Sequence, residues 1–168
     1  QYFTAIFLVA YPDMWPAAML NLNLFLLSSS TILVAAAGYV INDYYDIKID
    51  YINKPDRVVV GKFVKRRIVL ASHLLLNAAG IFIGFYLSLA VGVLNFMAAF
   101  MLWLYSNRLK RLPFIGNVTI ALLTGLSIMV IAIYYQRNIS LLVVYSIFAF
   151  SINLVREVIK DMEDIRGD

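Results

Sequence analysis

The sequence predicts an all-α fold, a bundle of transmembrane helices. Hydrophobic residues make up 62% of the 168 positions and charged residues only 14%, whereas soluble domains have roughly half and a quarter. Uncharged stretches span residues 14–42, 68–107, 112–136 and 138–155, and each is near or above the roughly 17 to 25 residues that cross a bilayer as a helix. The chain has no cysteine, which excludes disulfides, thiolate catalysis and cysteine-based zinc sites.

Five complete spans are predicted, at about 17–41, 68–88, 92–105, 117–135 and 139–158. Residues 1–12 are apolar as well but too short to cross alone, and they are interpreted as the end of a sixth span. Gly92 and Asn95 predict a turn between the second and third spans, shortly after Ser88. The third span is short, so we expect it to be tilted or sheltered by its neighbours.

Charged residues gather at one predicted face of the membrane. Alternating the spans places residues 42–67, 106–116 and 159–168 on one side, and thirteen of the fourteen lysines and arginines lie on or beside it. The positive-inside rule predicts that this side is cytoplasmic. In a bacterium it would be the cytoplasmic face of the inner membrane. That topological role, rather than a nucleic-acid partner, explains the net charge of +4. Nine of the ten acidic residues lie there too, which the rule does not require, so they are gathered for another reason.

Two segments carry six of these acids in the same pattern. Residues 42–50 (NDYYDIKID) and 160–168 (KDMEDIRGD) share three aspartates, the isoleucine between them and a basic residue, at a constant offset of 118. Each segment follows a span that runs towards the cytoplasm, so a parallel internal repeat is predicted within one domain over residues 1–168. Because two further spans follow the first segment and none follows the second, we expect the sequence to be a fragment that is incomplete at both ends.

The aspartates predict a magnesium site that binds a diphosphate. Spacings of i, i+3 and i+7 place three carboxylates on one face of a helix, where they repel one another unless cations are present. Oxygen ligands suit Mg²⁺, which uses one or two carboxylates and completes its shell with phosphates and water. Facing stacks would clamp a diphosphate and stabilise the departing pyrophosphate. The predicted metal ligands include Asp43, Asp46, Asp50, Asp161, Asp164 and Asp168, and Asp43, Asp46, Asp161 and Asp164 are the predicted catalytic residues.

Two basic loops lie on the same predicted side, at residues 53–67 and 105–111. In the first loop, Lys54 and Arg57 are candidates for direct contacts with phosphate oxygens. The cluster at residues 65–67 is interpreted instead as a topology signal or a contact with lipid headgroups. For the second loop, ligand and topology roles both stay open. Of the polar residues inside spans, His73 is expected to be a packed or pore-facing polar residue, and amides such as Asn95 are expected to form interhelical hydrogen bonds.

The motifs resemble those of the UbiA superfamily of intramembrane prenyltransferases. Its first signature, N-D-x-x-D-x-x-x-D, matches residues 42–50, and its second, D-x-x-D-x-x-x-D, matches residues 161–168. Two further motifs look like Asn53, Pro55, Asp56 and Arg57 (the N-x-P-D/E-R box) and Tyr105, Lys110, Gly116 and Asn117 (the tyrosine–lysine loop and the residues beyond it). The resemblance covers essentially the whole chain.

The resemblance implies a bundle of eight or nine spans around a cavity that is capped on the cytoplasmic side and open laterally to lipid. It adds Asn42 to the metal ligands and implies transfer of a prenyl group from a polyprenyl diphosphate to a lipid or aromatic acceptor. The residues expected on the diphosphate are Lys54, Arg57, Tyr105, Arg108 and Lys110. The valine-rich stretch at residues 58–61 looks like the branch of geranylgeranylglyceryl-phosphate geranylgeranyltransferases.

Other functions stay open from the sequence. A cation transporter or channel also uses carboxylates on helices, although these usually lie near the midplane of the membrane. A CDP-alcohol phosphotransferase pairs aspartates with a metal, but Ile47 stands where its motif requires glycine. Single acidic clusters at helix ends can also be solvated caps, and a lipid-binding scaffold without catalysis remains an alternative.

Overall fold

A computed structural model describes residues 1, 4–6, 9, 20–53, 58–112 and 114–164. The helices in order are α1 (Leu22–Asn53), α2 (Arg66–Leu87), α3 (Leu89–Asn107), a 3₁₀ turn (Leu109–Arg111), α4 (Ile115–Tyr135) and α5 (Ile139–Asp164). Residues 4–6 are also helical. The predicted all-α class is therefore confirmed.

Five segments within these helices are long and apolar enough to cross a bilayer: Leu22–Lys48, Arg66–Leu87, Leu89–Asn107, Ile115–Tyr135 and Ile139–Met162. They correspond to the five predicted spans. The predicted sixth, partial span falls largely outside the described residues. The third span has 19 residues, so it is longer than predicted and within the usual range of membrane-spanning helices.

The predicted turn at Gly92 and Asn95 is wrong, because the helix breaks earlier, at Ser88. Ser88 has an extended backbone (φ −166°, ψ 155°) and caps α3 by accepting a hydrogen bond on Oγ from the Val91 N–H. Gly92 and Asn95 lie inside α3 and are buried. The Asn95 amide donates to the carbonyl of Gly80 on α2 at 3.1 Å, so its role is the interhelical hydrogen bond expected of a buried amide.

Close helix contacts hold α1, α2 and α3 together. A Cβ added to Gly80 would lie 2.8 Å from the carbonyl oxygen of Ser30, so the backbones of α1 and α2 approach each other at this glycine. Two turns away, the buried His73 ring bonds to the carbonyl of Ala37 on α1 at 3.0 Å. His73 is thus a packed polar residue, as predicted.

Two apolar clusters close opposite ends of the bundle. One joins the start of α1, the start of α3, the end of α4 and the start of α5 through Leu27, Val91, Ile131 and Leu142. The other, Ile47, Val60 and Val69, lies beside the last turns of α1. Val60 belongs to the valine-rich connection between α1 and α2, which forms an isolated bridge to Val64. We call the end near Ile47 the polar end, because the aspartate segments lie there.

Candidate functional site

The last turns of α1 carry the first aspartate segment. Asn42 and Asp46 stand one turn apart on the same face, and the Asn42 amide donates to Asp46 Oδ2 at 2.8 Å. Asp43 lies beside them and is exposed. The predicted placement of these residues on one helix is confirmed.

Lys110 brings a positive charge against this segment. Its Nζ donates to Asn42 Oδ1 at 3.1 Å and to Asp46 Oδ1 at 2.5 Å. The side chains of Lys110 and Asp46 are 13% and 20% exposed, so the ion pair is partly shielded from solvent. The contact joins the 3₁₀ turn after α3 to the end of α1.

Gly116 allows the 3₁₀ turn to fold back onto α4. A Cβ at Gly116 would lie 3.1 Å from both the Leu109 carbonyl oxygen and the Lys110 Cα. A larger residue would push the turn away from α4, and Lys110 with it. The position of the Lys110 ammonium therefore depends on a glycine at the start of the next helix.

The second aspartate segment begins at the same end of the bundle. Asp161 on α5 accepts a hydrogen bond on Oδ2 from the Asn117 amide of α4 at 2.7 Å. Tyr105 on α3 lines the cavity at this end, and its ring lies 3.4 Å from where a Cβ on Gly116 would stand. Side chains from α1, α3, α4 and α5 thus converge at the polar end.

A cavity of about 520 Å³ opens from this polar cluster into the bundle, within the usual size range of small-molecule sites. Along α1 it runs from Asn42 to Thr31, which is about 16 Å of helix. Its middle walls are mostly apolar and include Val34, Leu102 and Leu123. Its polar end is lined by Asn42, Tyr105, Arg156, Glu157 and Lys160.

The structure describes some of the predicted site residues fully, some only in their backbone, and some not at all. The described part of the chain brings together Asn42, Asp43, Asp46, Tyr105, Lys110 and Asp161. Asn42 and Tyr105 line the cavity, whereas Asp43, Asp46, Lys110, Asp161 and the exposed Arg108 do not. The backbones of Asp50 and Asp164 are helical, but their side chains fall outside the described atoms, and Lys54, Arg57 and Asp168 fall outside the described residues.

The fit of a metal ion depends on the donors around Lys110. Among the described residues, no group of three or more histidine, cysteine, aspartate or glutamate side chains could hold a metal by itself. The Lys110 ammonium, however, lies between the oxygens of Asn42 and Asp46, so these oxygens already coordinate a positive charge. They are hard oxygen donors, and Mg²⁺ needs only one or two carboxylates when substrate phosphates complete its shell. The residues present therefore fit Mg²⁺ bound together with a phosphorylated substrate.

Sequence reasoning missed the α5 wall of the cavity. Asn153, Arg156, Glu157 and Lys160 all line it, and their spacing of i, i+3, i+4 and i+7 defines one helix face. That spacing could have predicted a polar face on the helix. From the sequence, Arg156 and Glu157 were instead grouped with the charges at the membrane face. The pairing of Asn117 with Asp161 had no local signal, because the residues lie 44 positions apart.

Comparison with known proteins gives consistent matches. The chain is 36% identical over 148 residues to digeranylgeranylglyceryl phosphate synthase of Methanosphaera stadtmanae, covering 88% of this chain and 54% of that protein. It is 39% identical over 136 residues to the protein of the same name from Thermococcus gammatolerans, covering 81% and 49%. The chain therefore spans about half the length of these relatives.

A solved structure described as "Structural and mechanistic insights into the biosynthesis of Digeranylgeranylglyceryl phosphate synthase in membranes" is also similar. It matches with a TM-score of 0.75 and 29% identity, over 87% of this chain and 52% of the other. None of these matches supports a transporter or a CDP-alcohol phosphotransferase. The model of the UbiA prenyltransferase family matches residues 2–168, and the chain belongs to that family.

Proposed function

We propose that the protein transfers a geranylgeranyl group from geranylgeranyl diphosphate to geranylgeranylglyceryl phosphate within the membrane. The observation that carries this proposal is the cavity, whose apolar walls end at Asn42, which is hydrogen-bonded to Asp46 and Lys110. A prenyl diphosphate has the same division, with a long apolar tail and a compact anionic head. The name shared by the similar proteins, digeranylgeranylglyceryl phosphate synthase, supports this choice of donor and acceptor.

The polar end would bind the diphosphate. Asn42, Asp43, Asp46 and Asp161 would hold Mg²⁺, which when bound neutralises charge on the departing pyrophosphate. Lys110 Nζ would exchange its bond with Asp46 for one with a phosphate oxygen, which keeps a charge-assisted hydrogen bond throughout. Asp50, Asp164 and Asp168 extend the proposed ligand set, and Lys54, Arg57, Tyr105 and Arg108 are proposed as further contacts to the diphosphate.

The apolar walls would protect the reacting carbon from water. In the proposed reaction the bond from C1 of the prenyl group to the diphosphate oxygen breaks, and the diphosphate leaves with the electron pair. The hydroxyl oxygen of the acceptor then bonds to C1 and loses its proton. An allylic cation reacts with any water nearby, so Val34, Leu102 and Leu123 would favour transfer over hydrolysis by excluding water.

The arrangement in the membrane is part of the proposal. The excess of lysine and arginine at the polar end supports a cytoplasmic orientation for that end, where soluble diphosphates would enter. The two aspartate segments are proposed to be halves of a parallel internal repeat, each following a helix that runs towards that side.

A transfer assay on the full-length protein tests the function. The purified protein in detergent is incubated with labelled geranylgeranyl diphosphate, Mg²⁺ and separate acceptors, one of them geranylgeranylglyceryl phosphate and the others aromatic. We expect a labelled ether lipid from the phosphate-bearing acceptor and its loss on addition of EDTA. Transfer to aromatic acceptors alone, or no transfer to any acceptor, would contradict the proposal.

A further inference from the structure

The cavity wall formed by α5 carries two positive charges that the proposed diphosphate site does not use. Arg156 and Lys160 both line the cavity at its polar end. They stand one turn apart on the same helix face, which separates them by about 6 Å along the axis. Both side chains are exposed, so a ligand in the cavity mouth can reach them.

These cations have no partner within the described part of the chain. Lys110 forms an ion pair with Asp46, and Asp161 accepts a hydrogen bond from Asn117. Neither Arg156 nor Lys160 has a hydrogen bond or an ion pair with another described residue. Glu157 lies between them on the same face and lines the cavity too, so the three residues together carry a net charge of +1.

A pair of cations in a largely apolar cavity favours an anion. A guanidinium group can bind two oxygens of a phosphate at once, and an ammonium group one turn away can bind a third. Charges this close to a membrane are costly unless they are compensated. A phosphate monoester, with a charge near −2, would compensate both cations and outweigh the effect of Glu157.

The proposed reaction involves two anionic substrates, and the polar end offers two separate cationic positions for them, Lys110 beside Asn42 and the pair on α5. The donor diphosphate has Lys110 and the metal-binding carboxylates. On α5, Arg156 lies five residues before Asp161, about 7.5 Å further into the bundle. An anion held by Arg156 and Lys160 would therefore lie on a different wall from the Asn42 and Lys110 cluster, with the reacting groups between the two.

We infer that Arg156 and Lys160 bind the phosphate group of the acceptor and select an acceptor lipid that bears a phosphate monoester over a neutral one. This inference rests on the proposed function, because it assigns the second substrate of the same site. Arg156 and Lys160 are specificity-determining residues in this assignment, while the diphosphate of the donor binds at the polar cluster on α1.

Steady-state kinetics of single substitutions test the assignment in the full-length protein. Arg156→Gln and Lys160→Gln remove the charges, and Arg156→Lys keeps the charge but loses the two-oxygen contact. We expect each glutamine variant to raise KM for geranylgeranylglyceryl phosphate by about tenfold, with KM for geranylgeranyl diphosphate changed by less than about twofold. Arg156→Lys should give a smaller rise. Matched controls are Arg67→Gln and Lys62→Gln, which do not line the cavity and should leave both constants unchanged.

A neutral acceptor separates phosphate recognition from other effects. The wild-type protein should prefer geranylgeranylglyceryl phosphate over geranylgeranylglycerol, and Arg156→Gln combined with Lys160→Gln should remove most of that preference. A rise in KM for the donor without one for the acceptor would assign the cations to the diphosphate and overturn the inference. Unchanged constants for both substrates would overturn it as well.

A direct binding measurement distinguishes this inference from the proposed function. Binding of labelled geranylgeranylglyceryl phosphate to the wild-type and double-variant proteins is measured without the donor. If the wild-type protein transfers no prenyl group, the proposed function fails, yet weaker binding to the variant still supports the phosphate site. Equal binding to the two proteins contradicts the phosphate site, whatever the transfer assay gives.

Discussion

Lys110 balances the charge of the polar cluster before any substrate binds. Its ammonium bonds to Asp46 and Asn42 in a partly buried position, where an unpaired carboxylate would carry a desolvation cost of several kcal/mol. A metal–diphosphate complex brings both a cation for Asp46 and an anion for Lys110. The cluster can therefore exchange one set of charge-assisted bonds for another without leaving a buried charge uncompensated.

Asn117 is expected to act as a positioning residue for Asp161. Its amide donates to Asp161 Oδ2 at 2.7 Å, which fixes the orientation of a proposed metal ligand. Hydrogen-bond partners of metal ligands typically contribute about 10- to 100-fold to metal affinity or activity. We predict that Asn117→Ala raises the Mg²⁺ concentration needed for half-maximal transfer by about tenfold.

The titration of transfer activity with Mg²⁺ checks this prediction. Asn138→Ala, in the connection between α4 and α5 at the opposite end of the bundle, serves as a control and should leave the Mg²⁺ requirement unchanged. A loss of maximal rate in Asn117→Ala at an unchanged Mg²⁺ requirement would show that the bond to Asp161 does not orient a metal ligand.

Residue types were easier to predict than residue pairs. Asp46 and Asp161 were identified because carboxylates at a membrane face are uncommon enough to indicate chemistry, whereas Lys110 was implied by the resemblance of its loop to the tyrosine–lysine motif. The partners that orient them lie far along the chain, 64 residues apart for Lys110 and Asp46 and 44 for Asn117 and Asp161. Such pairs depend on how helices pack, and a single sequence does not contain that information.

At the level of helices, glycines set how closely the first two pack. Gly80 allows α2 to approach the Ser30 carbonyl of α1, and the same segment of α2 accepts the Asn95 hydrogen bond from α3. In a bilayer, helices associate through close packing and interhelical hydrogen bonds rather than by the hydrophobic effect. Contacts of this kind hold the α1 wall of the cavity in place.

Gly80→Ala should destabilise the protein. The added Cβ would lie 2.8 Å from the Ser30 carbonyl oxygen and 2.9 Å from Val34 Cγ2, and the backbone oxygen can move only with α1. We predict a loss of about 1–3 kcal/mol in the free energy of unfolding in detergent. Ala79→Val is the control, because Ala79 is exposed, and its effect should stay within about 0.5 kcal/mol. An equal loss in both variants would contradict close packing at Gly80.

Composition predicted which segments form helices. It did not predict where α2 ends and α3 begins. Gly92 and Asn95 are turn-forming residues in soluble proteins, and this preference led to the wrong boundary. In a membrane helix glycine provides close contact, here with the Phe85 ring, and asparagine provides a bond between helices. Ser88 makes the turn because its hydroxyl caps the next helix.

At the scale of the whole molecule, the cavity needs space between α1 and α3. Gly38 faces Leu102, and both residues line the cavity. A Cβ at Gly38 would lie 2.9 Å from Leu102 Cδ1, so a larger side chain would displace Leu102 or fill the space itself. The passage between the polar end and the deeper cavity would narrow in either case.

Gly38→Leu should therefore impair long prenyl donors more than short ones. We predict a fall of about tenfold or more in kcat/KM for geranylgeranyl diphosphate and a smaller fall for dimethylallyl diphosphate, whose tail reaches less far. Ile32→Phe enlarges a side chain at an exposed position of α1 that does not line the cavity, so it should leave both values unchanged. An equal fall for both donors would contradict a role of Gly38 in housing the tail.

The overall architecture was largely predictable because the bilayer restricts it. A helix must satisfy its own backbone hydrogen bonds in lipid, so span length and charge position indicate both the fold and the end at which the acids gather. The cavity was not predictable in the same way. Its walls come from four helices, whose packing a single sequence does not give. Only the structure shows that Arg156 and Glu157 of α5 line it.

The central claim is that both aspartate segments bind a prenyl diphosphate through Mg²⁺ at one end of the cavity. Equilibrium binding of labelled geranylgeranyl diphosphate to the full-length protein tests it directly, with and without EDTA, in the wild type and in Asp46→Asn and Asp161→Asn. We predict Mg²⁺-dependent binding that is weakened at least about tenfold by either substitution. Binding that is unaffected by EDTA and by both substitutions would contradict it.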